Sequence, residues 1–126
     1  IHLFFRKNKY ILIKKKMDGF VYLIGELDNK DIYKIGVTKK DIEKRIKELQ
    51  TGSSDELYVR YYFKTSYPYQ LEKMLHRHFS HTNKLNEWFN LSESQAQDFP
   101  NICERYETVL NSLQDNPFFN KKSTII

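Results

Sequence analysis

Two short apolar runs, Phe20-Val21-Tyr22-Leu23-Ile24 and Ile32-Tyr33-Lys34-Ile35-Gly36-Val37, constrain this chain more than any other feature. Both have the length of a strand. Residues 19–25 are apolar almost throughout, the pattern of a strand covered on both faces. Only the polar stretch Glu26 to Asp31 separates the runs, so they should pair as an antiparallel hairpin. An isolated hairpin is marginal in water. The rest of the chain has to cover it.

After Thr38 the spacing changes. Ile42, Ile46 and Leu49 fall at i, i+4 and i+7, which predicts a helix to about Gln50, with Gly52 ending it. Thr38 and Asp41 have the spacing of a capping box. Glu43 with Lys47, and Lys44 with Glu48, are i,i+4 charge pairs on the wet side. Leu57 to Phe63 reads as a third strand, rich in tyrosine. Ser66 is placed to cap a second helix, with Pro68 tolerated in its first turn. Leu71, Leu75 and Phe79 form the buried stripe of that helix. Asn83 to Asn86 reads as a loop, and Glu87 to Leu91 as a brief strand or turn that closes the core. Ser92 can cap a last helical region to about Leu113, which Pro100 breaks in two. The fold class expected is α+β: a small three-stranded, mainly antiparallel sheet flanked by helices, with a C-terminal helical extension.

One domain of modest core suits 126 residues. We expect a basic tail or upstream extension over 1–16, dispensable for folding because Met17 precedes the first strand. The folded domain should cover 17–91, the helical extension 92–116, and a frayed tail 117–126. Cys103 is the single cysteine, so an internal disulfide is excluded. Six of the 21 basic side chains lie in residues 1–16, which contain no acid. That leaves 15 basic against 16 acidic side chains, so the net charge of +5 becomes −1 without the first segment. Phosphate affinity in the body must therefore come from local clustering. No run approaches the ~20 apolar residues of a membrane span, and no signal peptide is legible. An intracellular protein without a membrane partner is expected, in the cytoplasm or nucleus of a cell, or of a host cell if it is viral.

The residues that carry chemistry come in a fixed order: Tyr22, Lys34 and Gly36 on the hairpin, Arg45 on the first helix, Glu72 and His76 on the second, then Glu87-Trp88-Phe89. Strand alternation sends Tyr33 and Lys34 to opposite faces. His76 lies one helical turn after Glu72. The order resembles the GIY-YIG nuclease superfamily, and within it the phage T5 Orf172-type branch, over about residues 19–91. The resemblance implies a one-metal phosphodiester-cleaving site. Tyr22 would activate the attacking water or orient the phosphate. Lys34 takes the place of the second motif's tyrosine; it can lower a neighbouring phenol's pKa and pair with a phosphate oxygen. Arg45 would bind the scissile phosphate. Glu72 would hold one Mg²⁺ or Mn²⁺, and His76 would bond a water or a phosphate. The products would be a 5′-phosphate and a 3′-hydroxyl. Phe20 replaces the first motif's glycine, and Leu49 stands where many members carry tyrosine or histidine.

Taken singly, each residue has a plainer reading. Tyr22 suits a core, Arg45 and Lys34 suit a surface, and Glu72 suits a solvated helix face. Trp88 and Phe89 suit core closure more than base stacking. His76, His78 and His81 do not have the spacing of a zinc site. Two functions stay open from the set: a metal-dependent DNA endonuclease-like domain, and a DNA-binding module that kept the pocket and lost cleavage. A partner-binding scaffold would require the set to be accidental. With no separate recognition domain in the sequence, specificity would be low or supplied by a partner. Abundant Lys, Ile, Asn, Phe and Tyr suggest an AT-rich genome, and the resembling branch is common in phages and large DNA viruses.

Overall fold

The structure is a computed structural model, and it describes residues 18–114. The expectations for residues 1–16, for Met17 and for the tail from 117 fall outside the described residues. The hairpin is longer and tighter than the sequence suggests. Strand β1 (Gly19–Glu26) and strand β2 (Asn29–Thr38) pair antiparallel across a two-residue turn. The polar stretch thus joins the ladder instead of looping out. The register shifts after Gly25, and Asp31 sits near the irregularity with φ 71°. An acidic side chain tolerates that left-handed backbone better than a branched one.

Helix α1 (Ile42–Thr51) follows, then strand β3 (Leu57–Thr65) and helix α2 (Pro68–His78). A 3₁₀ turn at Ser80–Thr82 leads into strands β4 (Asn83–Leu85) and β5 (Trp88–Asn90). Helices α3 (Glu93–Gln97) and α4 (Phe99–Gln114) complete the described chain. The sheet order is β3-β1-β2-β5-β4, with every pair antiparallel. The three expected strands are therefore joined by β5, where Glu87 to Leu91 was expected as a brief strand or turn, and by β4. The segment read as a loop at Asn83 to Asn86 becomes β4 plus a turn, with Asn86 at φ 54°. Three-residue strands carry too short an alternation to be read from sequence.

Several caps also differ from expectation. The Thr38 hydroxyl accepts from Lys40 N in a local turn, and α1 begins at Asp41 with no side-chain cap. Thr65, not Ser66, accepts from Tyr67 N at the start of α2, while Ser66 bonds Asp18. Ser92 does cap α3, in a full capping box with Gln95. The last break falls at Asp98, and Pro100 lies in the first turn of α4, where a missing N–H costs nothing.

The sheet has two unlike faces. On the back, α2 and α4 cover Val21, Leu23, Tyr33 and Ile35 with Leu71, Leu75, Phe79, Phe99, Ile102, Cys103 and Leu110. Residues 93–114 thus share one core with the sheet. Cys103 is fully buried, and burial pushes its thiol pKa up to about 12. On the front, α1 covers a smaller cluster of Tyr22, Ile24, Ile42 and Leu57, with Ile46, Leu49 and Val59 packed around it. Among the described residues no helix is long and apolar enough to cross a membrane.

Candidate functional site

Strand register decides which side chains meet. Tyr22 lies opposite Gly36, and Ile24 opposite Lys34. Residues directly opposite share a face, so Tyr22, Gly36 and Lys34 all point to the front. Tyr33 points to the back and is 4% exposed. Gly36 is there for space. A Cβ on it would come within 2.7 Å of the Tyr22 ring, nearer than real contacts allow. Its φ is not positive, so conformational freedom is not the reason. The phenol reaches over the bare backbone of β2 at Gly36.

Arg45 reaches Tyr22 from α1. Its Nε donates a long hydrogen bond, 3.4 Å, to the Tyr22 hydroxyl. Its Nη1 donates to Glu48 at 3.2 Å. Glu48 also takes Lys40, and these two cations hold its carboxyl below the ordinary range. The expected Lys44–Glu48 pairing is thus replaced by pairs of Glu48 with Lys40 and Arg45.

Tyr22 is 0% exposed. Burial raises its pKa, and the Arg45 hydrogen bond only partly opposes this. The expectation that Lys34 lowers a neighbouring phenol's pKa is not met. Lys34 is held by Glu87 at 3.1 Å and lies 5.5 Å over the Trp88 ring. Burial keeps the phenol protonated, and its oxygen accepts from Arg45.

Strand β5 is paired to β2 only as far as Lys34 opposite Trp88. One further bond, Ile35 N to Glu87 O at 3.0 Å, closes the hairpin end. Beyond that, α2 lies along the uncovered margin of β2. There the His76 Nε2–H donates to the Ile35 carbonyl at 2.8 Å, which fixes the ring tautomer. The ring also stands edge-on to Phe89 at 4.9 Å. This anchor brings Glu72, one turn earlier on α2, to the margin where front and back faces meet. Its Oε2 lies 3.9 Å from His76 Nε2.

Glu72 differs from the other acids of the site. Among the described residues its carboxylate accepts no hydrogen bond, although its side chain is only 19% exposed. Burial raises its pKa, and Glu87 adds to the rise; His76 and Lys34 pull it back. Tyr22 feels both Glu72 and Glu87. The margin therefore gathers Lys34, Glu72, His76 and Glu87 around the Tyr22–Arg45 pair. Leu49 packs against the front cluster beneath it.

The pairings of two site neighbours are not legible in the sequence. Glu48 was visible as i,i+3 to Arg45 but competes with several other spacings on the same helix. Glu87 becomes the partner of Lys34 only through the β2–β5 pairing, which no local signal announces. The histidine run gathers no metal ligands. Among the described residues no group of three or more His, Cys, Asp or Glu is assembled for a metal, and His78 bonds the Tyr106 hydroxyl at 2.8 Å.

The model of the T5orf172 domain family matches residues 19–104, a span that takes in all five strands and both helices bearing Arg45 and Glu72. Comparisons with curated proteins and with solved structures find no match. A match over more than half of the sequence, laid on this fold, shows that the chain belongs to the T5orf172 domain family.

Proposed function

We propose that the domain binds DNA at the β2 margin and hydrolyses a phosphodiester there with the help of one divalent cation. The observation that carries this reading is Glu72. A half-buried carboxylate with a raised pKa and no hydrogen bond is costly unless a cation completes it. A single carboxylate with room for water suits Mg²⁺ or Mn²⁺, which keep much of their hydration. Glu72 would hold the ion, which supplies stabilisation of negative charge on the leaving oxygen.

The chain's own residues divide the remaining work. Arg45, fixed by Tyr22, presents its guanidinium to a phosphate oxygen. Tyr22 is buried and acts through Arg45, so it is a positioning residue in this geometry. Lys34 adds positive charge on the same side of the sheet. The His76 ring, held by the Ile35 carbonyl, keeps α2 at the distance that sets Glu72. This assignment agrees with the GIY-YIG resemblance in order, with Lys34 in place of the second motif's tyrosine.

One observation favours a second reading, a DNA-binding module without cleavage. Arg45 and Lys34 are already paired with Glu48 and Glu87, and a phosphate must displace those acids. A nicking assay on supercoiled plasmid with Mg²⁺ or Mn²⁺ separates the readings. Wild type should nick, and Glu72→Ala should lose nicking while keeping most DNA affinity. Arg45→Ala should lose both. DNA binding without metal-dependent nicking on plasmid or branched DNA would replace the nuclease by the binding module.

A further inference from the structure

The front of the sheet extends past the site as an uncovered aromatic surface. β1 and β3 pair with Phe20 opposite Lys64 and Tyr22 opposite Tyr62. Phe20, Tyr62 and Lys64 therefore stand on the same face as Tyr22. Helix α1 covers the other end of that face, over Ile24, Leu57 and Val59. Tyr62 is 56% exposed, with its ring edge-on to Phe20 at 5.7 Å. Lys64 is exposed and makes no ion pair among the described residues. Just past Thr38, which lies opposite Phe20 on β2, the Lys39 ammonium sits over the Tyr69 ring at 5.7 Å. Tyr69 is itself 53% exposed.

We propose that Tyr62, backed by Phe20 and flanked by Lys64, is a stacking platform for an unpaired nucleotide close to the scissile phosphate. The substrate class is then DNA with a single-stranded segment, such as a flap, a gap or a frayed end. This rests on the phosphodiester reading of the β2 margin and narrows its substrate.

Three arguments favour that occupant. First, Tyr62 on β3 faces the same way as Tyr22, whose hydroxyl reaches over Gly36 on β2 and accepts from Arg45; two strand spacings of about 4.8 Å each separate β3 from β2, so a base on Tyr62 belongs to a nucleotide one or two steps from the phosphate on Arg45. Second, an exposed ring beside a lysine offers a π-face and a phosphate partner together, the pairing that single strands use. A base inside a continuous duplex is already stacked and cannot reach it. Third, two rings are far too little surface for a stable protein interface, which needs about 1,000 Å² or more.

The test measures anisotropy of two labelled DNAs, a plain duplex and the same duplex carrying a single-stranded flap, with the full chain. Wild type should prefer the flap. Tyr62→Leu, which keeps the apolar contact with Phe20, should weaken flap binding about 5- to 100-fold, and the flap-to-duplex ratio should collapse toward one. Tyr62→Phe should keep the preference. Lys64→Glu, at an exposed position that leaves folding intact, should weaken flap binding and lower its salt dependence. The platform is overturned if wild type binds both DNAs alike, or if Tyr62→Leu binds the flap as wild type does. It is also overturned if Tyr62→Leu abolishes self-association in sedimentation, which would make the patch a contact between copies. Arg45→Ala separates this failure from a deeper one. If Arg45→Ala loses DNA and Tyr62→Leu does not, only the platform falls; if wild type binds neither DNA, the β2 margin is not a phosphodiester site.

Discussion

The two faces of the sheet make opposite use of their side chains. On the back, a large apolar cluster is rimmed by paired polar groups. Arg60 donates to Glu93 at 2.7 Å and to the Tyr33 hydroxyl at 3.1 Å. Thr65 donates to Glu107, Tyr67 donates to Asn111, and His78 meets Tyr106. On the front, four buried residues form the cluster, and the charged groups above them are unevenly matched. Arg45 divides itself between Tyr22 and Glu48, Lys34 is held by Glu87, and Glu72 accepts no hydrogen bond among the described residues. A fold with most of its stability on one face can leave the other open to a ligand. Functional regions are commonly drawn from the less stable part of a structure.

Truncation of apolar side chains gives the largest expected contrast. Phe99 is fully buried on the back and stacks with Tyr61 at 6.5 Å and 11°. Phe99→Ala should cost about 3 to 5 kcal/mol, a large fraction of the ~5 to 15 kcal/mol that holds a domain together. Ile46→Ala, at a half-buried front position, should cost under about 2 kcal/mol by the same reasoning. Urea denaturation measures both. Equal losses would break the comparison, since the front would then be as stabilising as the back.

Two glycines sharpen it at intermediate cost. Gly25 faces the back, where an added Cβ would meet the Tyr58 ring at 2.6 Å. Gly36 faces the front and meets Tyr22. Alanine at either should cost about 1 to 3 kcal/mol, the usual penalty of overpacking. Only Gly36→Ala should also lower DNA affinity, because displacing the phenol removes the hydroxyl that steadies Arg45. Thermal melting paired with anisotropy on DNA reads the difference. If Gly25→Ala lowered DNA affinity equally, the loss would report general loosening and not the Tyr22–Arg45 contact.

How much of this was legible follows the range of each interaction. The hairpin, α1, the tyrosine-rich strand and the Leu71-Leu75-Phe79 stripe are local periodic patterns, and they read directly. Lys34 and Tyr33 could be sent to opposite faces because alternation is a local rule. β4 was missed, and β5 was legible only as a brief strand or turn, because three-residue strands exist only through pairing, β5 with β2 and β4 with β5. Without that pairing, Glu87 stood in the ordered set with no sign that its partner is Lys34. The burial of Tyr22 was also out of reach: it depends on Gly36 across the ladder and on α1 folding back over both. The caps were misread where several hydroxyls compete, as at Thr65 and Ser66, since either can satisfy the same backbone donor.

The smallest expected effect has the opposite sign, and it falls on the front. Glu72→Gln keeps the shape of the side chain and removes its charge. Burial raises the folded-state pKa of Glu72, with Glu87 adding to it and His76 and Lys34 opposing. A carboxyl whose pKa is higher folded than unfolded binds its proton more tightly in the native state. Its contribution is therefore fully present below the unfolded pKa, near 4.3 for an ordinary glutamate, and is lost as pH rises through the raised folded value. Wild type and Glu72→Gln should match in stability near pH 4, and the variant should be slightly the more stable at pH 7. Urea midpoints at the two pH values, taken with a chelator present, measure the difference. Adding Mg²⁺ or Mn²⁺ should then stabilise wild type and not the variant, since a ligand raises stability only where it binds the folded state. A back-face acid behaves the other way. Arg60 holds the Glu93 carboxyl below its ordinary range, so Glu93→Gln should lose stability at neutral pH. If Glu72→Gln were destabilised at pH 7 as Glu93→Gln is, Glu72 would be a structural partner of His76 and Lys34, and the argument that it awaits a cation would fall.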